Sequence, residues 1–271
     1  MTINIDPNIF TIGFITLSWH GLFSALGVLL GVLFTARLLK DSSITEDQYY
    51  SVALWAIIGG MVGARLLFVI ENIYLFLPSP LSVFAVNEGG ISVFGATLGG
   101  TLAAYLGAKR YGIDVPTLAD AAGPGFSFGE GVGRIGDIIN GEHHGAPTDL
   151  PWGIVYSHSN TLGEIGVKVH PAVGYEMIYD FMVAGLLVLF RGRLPRPGMI
   201  YLLYIFLYSL GRLTIGFFRK DNHVLFNLGM AQLIGVAGMT VCVVWAVVML
   251  TSKAPSTPTR SVRRRAARHR S

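Results

Sequence analysis

The sequence of 271 residues predicts an all-α integral membrane protein with about seven transmembrane helices and a small extracytoplasmic head, its N-terminus outside and its C-terminus inside. Three observations lead there. Charged residues make up 13% of the chain and hydrophobic ones 52%, where a soluble domain has about 25% charged. The apolar residues gather in blocks of about twenty, the length a helix needs to cross the hydrocarbon core of a bilayer. When the chain is threaded through those blocks, Lys and Arg collect on one side. An ordinary soluble enzyme, a disordered chain and a disulfide-stapled secreted module are excluded together. The single cysteine, Cys242, sits in an apolar run without a partner and reads as a small buried hydrophobe.

The blocks can be taken in order. Residues 13–36 hold no Asp, Glu, Lys or Arg. Their lead-in has no Lys or Arg either, so this block is expected to be a retained span and not a cleavable signal. Residues 51–70 contain only Arg65, and 91–108 contain no formal charge. Residues 118–139 are the exception, with Asp120, Glu130, Arg134, Asp137 and six glycines. Residues 171–190 carry Glu176 and Asp180, 198–218 carry only Arg212, and 227–250 carry no charge. None shows the apolar/polar alternation of an outer-membrane barrel strand. With the N-terminus outside, fourteen of the twenty basic residues fall inside; Lys168, Arg219 and Lys220 fall outside, and Arg65, Arg134 and Arg212 stay within spans. The stretch 140–170 is too short for a core of its own and reads as a head on a single transmembrane domain, 1–252. The basic tail, 253–271, reads as a disordered cytoplasmic anchor for anionic lipid, with no role in nucleic-acid binding. Four-residue glycine repeats (Gly27/Gly31, Gly59/Gly63, Gly95/Gly99, Gly125/Gly129/Gly133) are expected to let helix backbones approach closely.

Charges inside spans are expensive and require partners or a polar cavity. Glu130, Arg134 and Asp137 share one helix face, which makes Glu130–Arg134 a natural ion pair. Arg65, Arg134 and Arg212 lie on three different segments and outnumber what one local pair neutralises. A guanidinium fork grips phosphate bidentately and keeps its charge when partly buried. These residues therefore suit an anionic phospholipid headgroup, with interhelical salt bridging as the alternative. His20, His143, His144 and His170 offer proton-transfer capacity. No zinc-site spacing accompanies them, so neither a metal nor a cofactor is expected. The G-x-G-x-x-G at Gly131, Gly133 and Gly136 follows no strand and is set aside.

The run from Gly133-Arg134 through Asp137, Asn140 and Glu142 to Gly145, followed by Thr148-Asp149-Leu150-Pro151-Trp152-Gly153, resembles the signature of the bacterial prolipoprotein diacylglyceryl transferases. His170-Pro171 with Tyr175-Glu176 resembles that family's HP…YE element, and Tyr208 to Arg212 with Phe217-Phe218-Arg219 its late Y…R…FFR element. Gly63-Ala64-Arg65-Leu66, and Gly89-Gly90 leading to Gly95, match earlier landmarks. The resemblance implies a multi-pass enzyme of the bacterial cytoplasmic membrane. Its partners would be phosphatidylglycerol and the lipobox cysteine of a prolipoprotein, with glycerol phosphate leaving. It implies that Arg134 and Arg212 hold the headgroup phosphate, that Asn140, Glu142 and Gly145 complete the headgroup site, and that Tyr208 orients Arg212; Arg65 is counted in the binding set for its charge within a span. The family usually has tyrosine at the place of His20, asparagine at Asp137, histidine at Phe94 and glutamate at Gly216. His20 and Asp137 are therefore expected to join Arg134 and Arg212 in catalysis as compensating proton-transfer or hydrogen-bonding groups. A non-catalytic phospholipid-binding or lipid-moving paralogue is the alternative, and a seven-helix receptor or transporter leaves the signature unexplained.

Overall fold

Seven helices of 17 to 26 residues make up most of the computed structural model, which describes residues 1–13, 15–84, 90–143 and 145–252. They are α1 (Trp19–Leu39), α2 (Glu46–Glu71), α4 (Val93–Arg110), α5 (Val115–Asn140), α6 (Ala172–Phe190), α7 (Met199–Ile215) and α8 (Met230–Thr251), with α3 (Ile73–Phe76) a single turn. Each coincides with one of the seven apolar blocks. Five of them, α1, α2, α6, α7 and α8, are long and apolar enough to cross a membrane. The basic tail, Gly89 and His144 lie outside the described residues.

The two remaining helices fall short for different reasons. Glycine, threonine and the terminal Lys109-Arg110 dilute α4. The longer α5 carries Asp120, Glu130, Arg134 and Asp137. It can hold them because it faces protein: α1, α6 and α7 pack around it, and eleven of its residues are buried, against three in each of α1, α2 and α8. The outer helices are arranged the opposite way. Val241, Val243, Val244, Trp245, Val247 and Val248 of α8 are all more than half exposed, an apolar surface suited to lipid and not to water.

Glycine sets the closest helix contacts. A Cβ on Gly27 would stand 2.4 Å from the Gly129 carbonyl oxygen, locking α1 to α5. One on Gly63 would stand 2.4 Å from the Gly95 oxygen, locking α2 to α4. The four-residue repeats thus serve packing, as expected.

Short strands correct the purely helical expectation. Residues 15–18, assigned to the first span, instead form β3 (Ile15–Ser18), which pairs with β2 (Asn8–Ile12) in a hairpin. Gly13 turns with φ +62°, the β-branched Thr11, Ile12 and Thr16 favour strand, and Thr11 Oγ1 meets Thr16 Oγ1 at 3.1 Å. The helix begins only after Ser18, whose hydroxyl accepts from the Gly21 amide at 3.1 Å. The head is also wider than 140–170. In its three-stranded sheet β1 (Thr2–Ile3) runs parallel to β4 (Ile154–Tyr156), which pairs antiparallel with β5 (Lys168–Val169). Ile3, Ile154, Tyr156 and Val169 form its core, and the Tyr156 hydroxyl donates to Ile138 O at 2.9 Å, tying the head to α5. A last small hairpin, β6 (His223–Leu225) with β7 (Leu228–Gly229), precedes α8.

At the far end of the bundle, Leu39, Ile44, Tyr49, Val52, Ala108, Ile113 and Leu118 pack the short loops together. Arg37, Lys40, Lys109, Arg110, Arg191, Arg193 and Arg196 gather at this end, where the Arg191 guanidinium donates to Leu38 O. A Gly63→Val substitution is expected to disrupt the α2–α4 contact and destabilise the protein by about 1–3 kcal/mol. Thermal unfolding in detergent would read this, and an unchanged midpoint would contradict the packing described.

Candidate functional site

One carboxylate joins the three helices around α5's charged half. Glu176, on the second turn of α6 and 5% exposed, places Oε1 2.8 Å from Arg212 Nη1 of α7 and 3.2 Å from Arg219 Nη1. Its Oε2 lies 3.2 Å from Arg134 Nε of α5. That last pair is close but poorly aligned, so both atoms are buried without a hydrogen-bond partner among the described residues. Arg134 and Arg212 line one small cavity together with Glu176, Tyr179, Asp180, Tyr208, Gly211 and Ile215. The interhelical pairing weighed as the alternative for both arginines is therefore present, yet both still face the cavity, with side chains 15% and 23% exposed. Six residues separate Arg134 from the end of α5 at Asn140, so the cavity lies about 9 Å below the head side of the bundle at 1.5 Å per residue.

The backbone explains this arrangement. Gly198 offers no side chain to cap α7, and Asp120 of α5 takes its place: Oδ2 accepts from the Gly198 amide at 2.7 Å and Oδ1 from Tyr201 N at 3.0 Å. That tertiary cap fixes the register of α7 against α5, and with it Arg212 against Arg134. Tyr201, Tyr204 and Tyr208 form a ladder with ring centroids 5.8 and 6.1 Å apart, leading along α7 to Arg212.

A second group of charges adjoins the first through Asp137, which is 4% exposed. Its Oδ1 lies 2.5 Å from His20 Nδ1 and its Oδ2 3.0 Å from Arg134 Nη1. Gly136 permits the contact, since a Cβ there would stand 2.8 Å from the His20 Cα. Glu142 Oε2 approaches His20 Nδ1 to 3.4 Å, and Asn140 Nδ2 donates to Glu142 Oε1 at 3.1 Å. His20, Asp137 and Glu142 each bring one potential metal-ligand atom within 4.8 Å of the others, a cluster the zinc-spacing argument did not foresee because it spans α1 and α5.

The expected Glu130–Arg134 pair is replaced. Arg134 turns instead to Asp137 and Glu176, and Glu130 accepts from the Tyr204 hydroxyl at 3.5 Å. A carboxylate already fixed by His20, together with one facing from α6, outcompetes the same-face neighbour. Arg65 is held apart from this cluster in the α2–α4 pair. It donates to the carbonyls of Val83 (2.7 Å), Gly90 (2.9 Å) and Ser82 (2.8 Å) and lies over the Phe68 and Phe76 rings. Gly145 adjoins the cluster from the head, where a Cβ would stand 1.9 Å from His170 O. Sequence reasoning missed Glu176 and Arg219 as site residues. Their signal was a lone glutamate in an apolar span and an arginine placed outside the last turn of α7. Near them Trp152 Nε1 donates to the Tyr175 hydroxyl at 2.8 Å, and the His170, Tyr175 and Phe218 rings pack together.

His143 follows α5 with Nε2 3.9 Å from Asp137 Oδ2. Desolvation, then the Arg219 and Arg134 charges, hold its imidazole below the ordinary value of 6.5.

Comparison with known proteins gives the same answer along most of the chain. The sequence model of the prolipoprotein diacylglyceryl transferase family matches residues 7–249. The phosphatidylglycerol–prolipoprotein diacylglyceryl transferase of Clostridioides difficile (strain 630) is 36% identical over 235 residues, 87% of this chain and 92% of that protein. The enzyme of the same name from Gloeobacter violaceus is 35% identical over 238 residues, covering 86% and 88%. That from Geobacter sulfurreducens is 35% identical over 226 residues, covering 81% and 84%.

Two outcomes follow from the electrostatics. Glu176→Ala leaves buried guanidiniums uncompensated and is expected to destabilise by about 3–5 kcal/mol; unfolding in detergent at wild-type stability would show that Glu176 is not the hub. For His143, the unfolded chain takes up a proton at higher pH than the folded one, so its stabilising contribution is complete above 6.5 and declines as the pH falls below it. His143→Gln should therefore lose less melting temperature than wild type between about pH 7.5 and about pH 5.5.

Proposed function

The chain belongs to the prolipoprotein diacylglyceryl transferase family, and from that premise we propose that it moves the diacylglyceryl group of phosphatidylglycerol to the cysteine thiol of a prolipoprotein lipobox. Glycerol phosphate is released. This is the first step of lipoprotein maturation, and it is a substitution: sulfur bonds to the glycerol carbon that bears the phosphate, and the carbon–oxygen bond breaks with its electron pair leaving on phosphate. Negative charge grows on the departing oxygen, and donors held in place beforehand are worth most at that point.

The single observation that carries this assignment is the shared cavity of Arg134 and Arg212, in which Arg134 Nε is buried without a hydrogen-bond partner among the described residues. Two guanidinium forks from different helices suit a phosphate that gains charge in the reaction. Tyr208 lines the same cavity one turn before Arg212, a position suited to orienting that side chain. Asn140 and Glu142 stand at the head end of α5 and match the glycerol hydroxyls of the headgroup in chemistry, and Gly145 lets the His170 backbone close beside them. Arg65 joins the substrate-binding set through the loop it braces.

Both substrates live in or at a membrane, which explains an active site inside the bundle with a small head above it. We place all seven long helices across the bacterial cytoplasmic membrane as one transmembrane domain, 1–252, with the head outside and the basic tail, 253–271, inside. The gathering of basic residues at the end of the bundle opposite the head supports that sidedness.

Purified protein incubated with phosphatidylglycerol and a lipobox peptide should yield thioether-linked diacylglyceryl peptide and glycerol phosphate. Arg134→Ala and Arg212→Ala should each lower the rate about 10²–10³-fold while the protein stays inserted. Lysine at either position should restore little, since a point charge does not reproduce the fork. Wild-type turnover in both alanine variants would refute the phosphate site.

A further inference from the structure

Every thiol that attacks carbon must first lose its proton, and only the thiolate is a competent nucleophile. Resting on the transferase reading above, we propose that His20, oriented by Asp137, is the group that takes this proton.

The geometry has the form of a base and its orienter. Asp137 is buried, with 4% exposure, while the His20 side chain is 43% exposed, so the carboxylate is fixed and the ring looks outward. The 2.5 Å contact engages Nδ1, and nothing among the described residues hydrogen-bonds Nε2. A carboxylate accepting from Nδ1–H selects the tautomer whose lone pair is on Nε2, the free nitrogen. The ring is positioned at its own end as well. Trp19 N donates to Pro7 O at 3.0 Å and Trp19 Nε1 to Asp6 O at 3.1 Å, so the N-terminal strap holds the first turn of α1 against the head. Asp137 then links the base to the phosphate site, because its second oxygen holds Arg134 at 3.0 Å. One buried carboxylate thus holds the proton acceptor beside a phosphate ligand.

The step balances without any oxidant or metal. The thiol proton goes to Nε2, the sulfur lone pair forms the carbon–sulfur bond, and the carbon–oxygen pair leaves on the phosphate. The imidazolium then returns its proton to the departing phosphate or to water. His20, Asp137 and Glu142 have the composition of a metal site, but the Arg134 guanidinium on Asp137 disfavours a second cation there.

The test compares two peptides, one with the lipobox cysteine and one with selenocysteine in its place, whose selenol is already ionised near neutral pH and needs no base. His20→Phe is expected to lower thiol transfer about 10²–10⁴-fold while keeping selenol transfer within about tenfold of wild type. Asp137→Asn, which retains the ring but removes the charge that orients it and holds Arg134, should lower transfer to both peptides and lower thiol transfer further. Equal losses on both peptides in either variant would make the dyad a structural feature and overturn the proposal. So would wild-type thiol transfer by His20→Phe. Activity abolished by chelation and restored by Zn²⁺ would reassign the cluster to a metal. A wild-type protein that modifies neither peptide would bring down the transferase reading itself, and the dyad with it.

Discussion

The arrangement depends on one constraint: an ionised group inside a bundle that faces lipid must find its counter-charge within the protein. Glu176 meets that demand for Arg134, Arg212 and Arg219 at once, at 3.2, 2.8 and 3.2 Å. Because the arginines come from α5, α7 and the turn after it, one carboxylate on α6 holds three segments in fixed relation. A charged residue can be afforded at this depth only where neighbours shield it from hydrocarbon. This is why the most polar helix, α5, is the most enclosed. Its position follows from its charges, and the positions of α1, α6 and α7 follow from the need to cover it.

On the proposed reading, the same hub prepares the cavity for an anion. Carboxylate and phosphate compete for the same guanidinium geometry, and a fork held by Glu176 is already desolvated and pointed where a phosphate oxygen would bind. A lipid entering this cavity exchanges one anionic partner for another and need not organise the arginines from solution. The misaligned Arg134–Glu176 contact is informative here. A well-made buried ion pair resists being opened, whereas one that leaves a donor and an acceptor unsatisfied has less to lose.

Much of this was legible in the sequence, for physical reasons that differ by residue. Hydropathy marked the helices, five of them long and apolar enough to cross a membrane, because lipid favours a continuous apolar composition. Arg134 and Arg212 stood out because charge in an apolar block is rare. The signature run put Asn140 and Glu142 at the head end of α5, beside His20 and Asp137. Hydropathy failed at residues 15–18, which it joined to the first span although they pair with β2 as a strand. It could not show Asp120 capping α7, since that bond joins residues 78 apart in the chain. Glu176 was overlooked as a site residue because a single carboxylate says nothing about how many cations converge on it. Arg219 was read as an outer-loop charge because its side chain returns into the bundle, which no linear count reveals. The same limit applies to Glu130, whose helical spacing favoured Arg134 but whose partner is Tyr204.

His20 and Asp137 show what juxtaposition adds to a sequence. Each is unremarkable alone, a histidine on the first turn of one helix and an aspartate near the end of another. Their contact exists because Gly136 removes the side chain that would keep α1 and α5 apart, so a glycine governs the chemistry without taking part in it. Since Asp137 also holds Arg134, neither proton transfer nor phosphate binding can be displaced without moving the other. Such coupling favours a reaction in which a thiol must be deprotonated at the moment a phosphate departs. It also explains why these groups adjoin the hub and do not occupy a separate pocket: a carboxylate accepting from both a histidine and an arginine is held more firmly, at this depth, than one accepting from either alone.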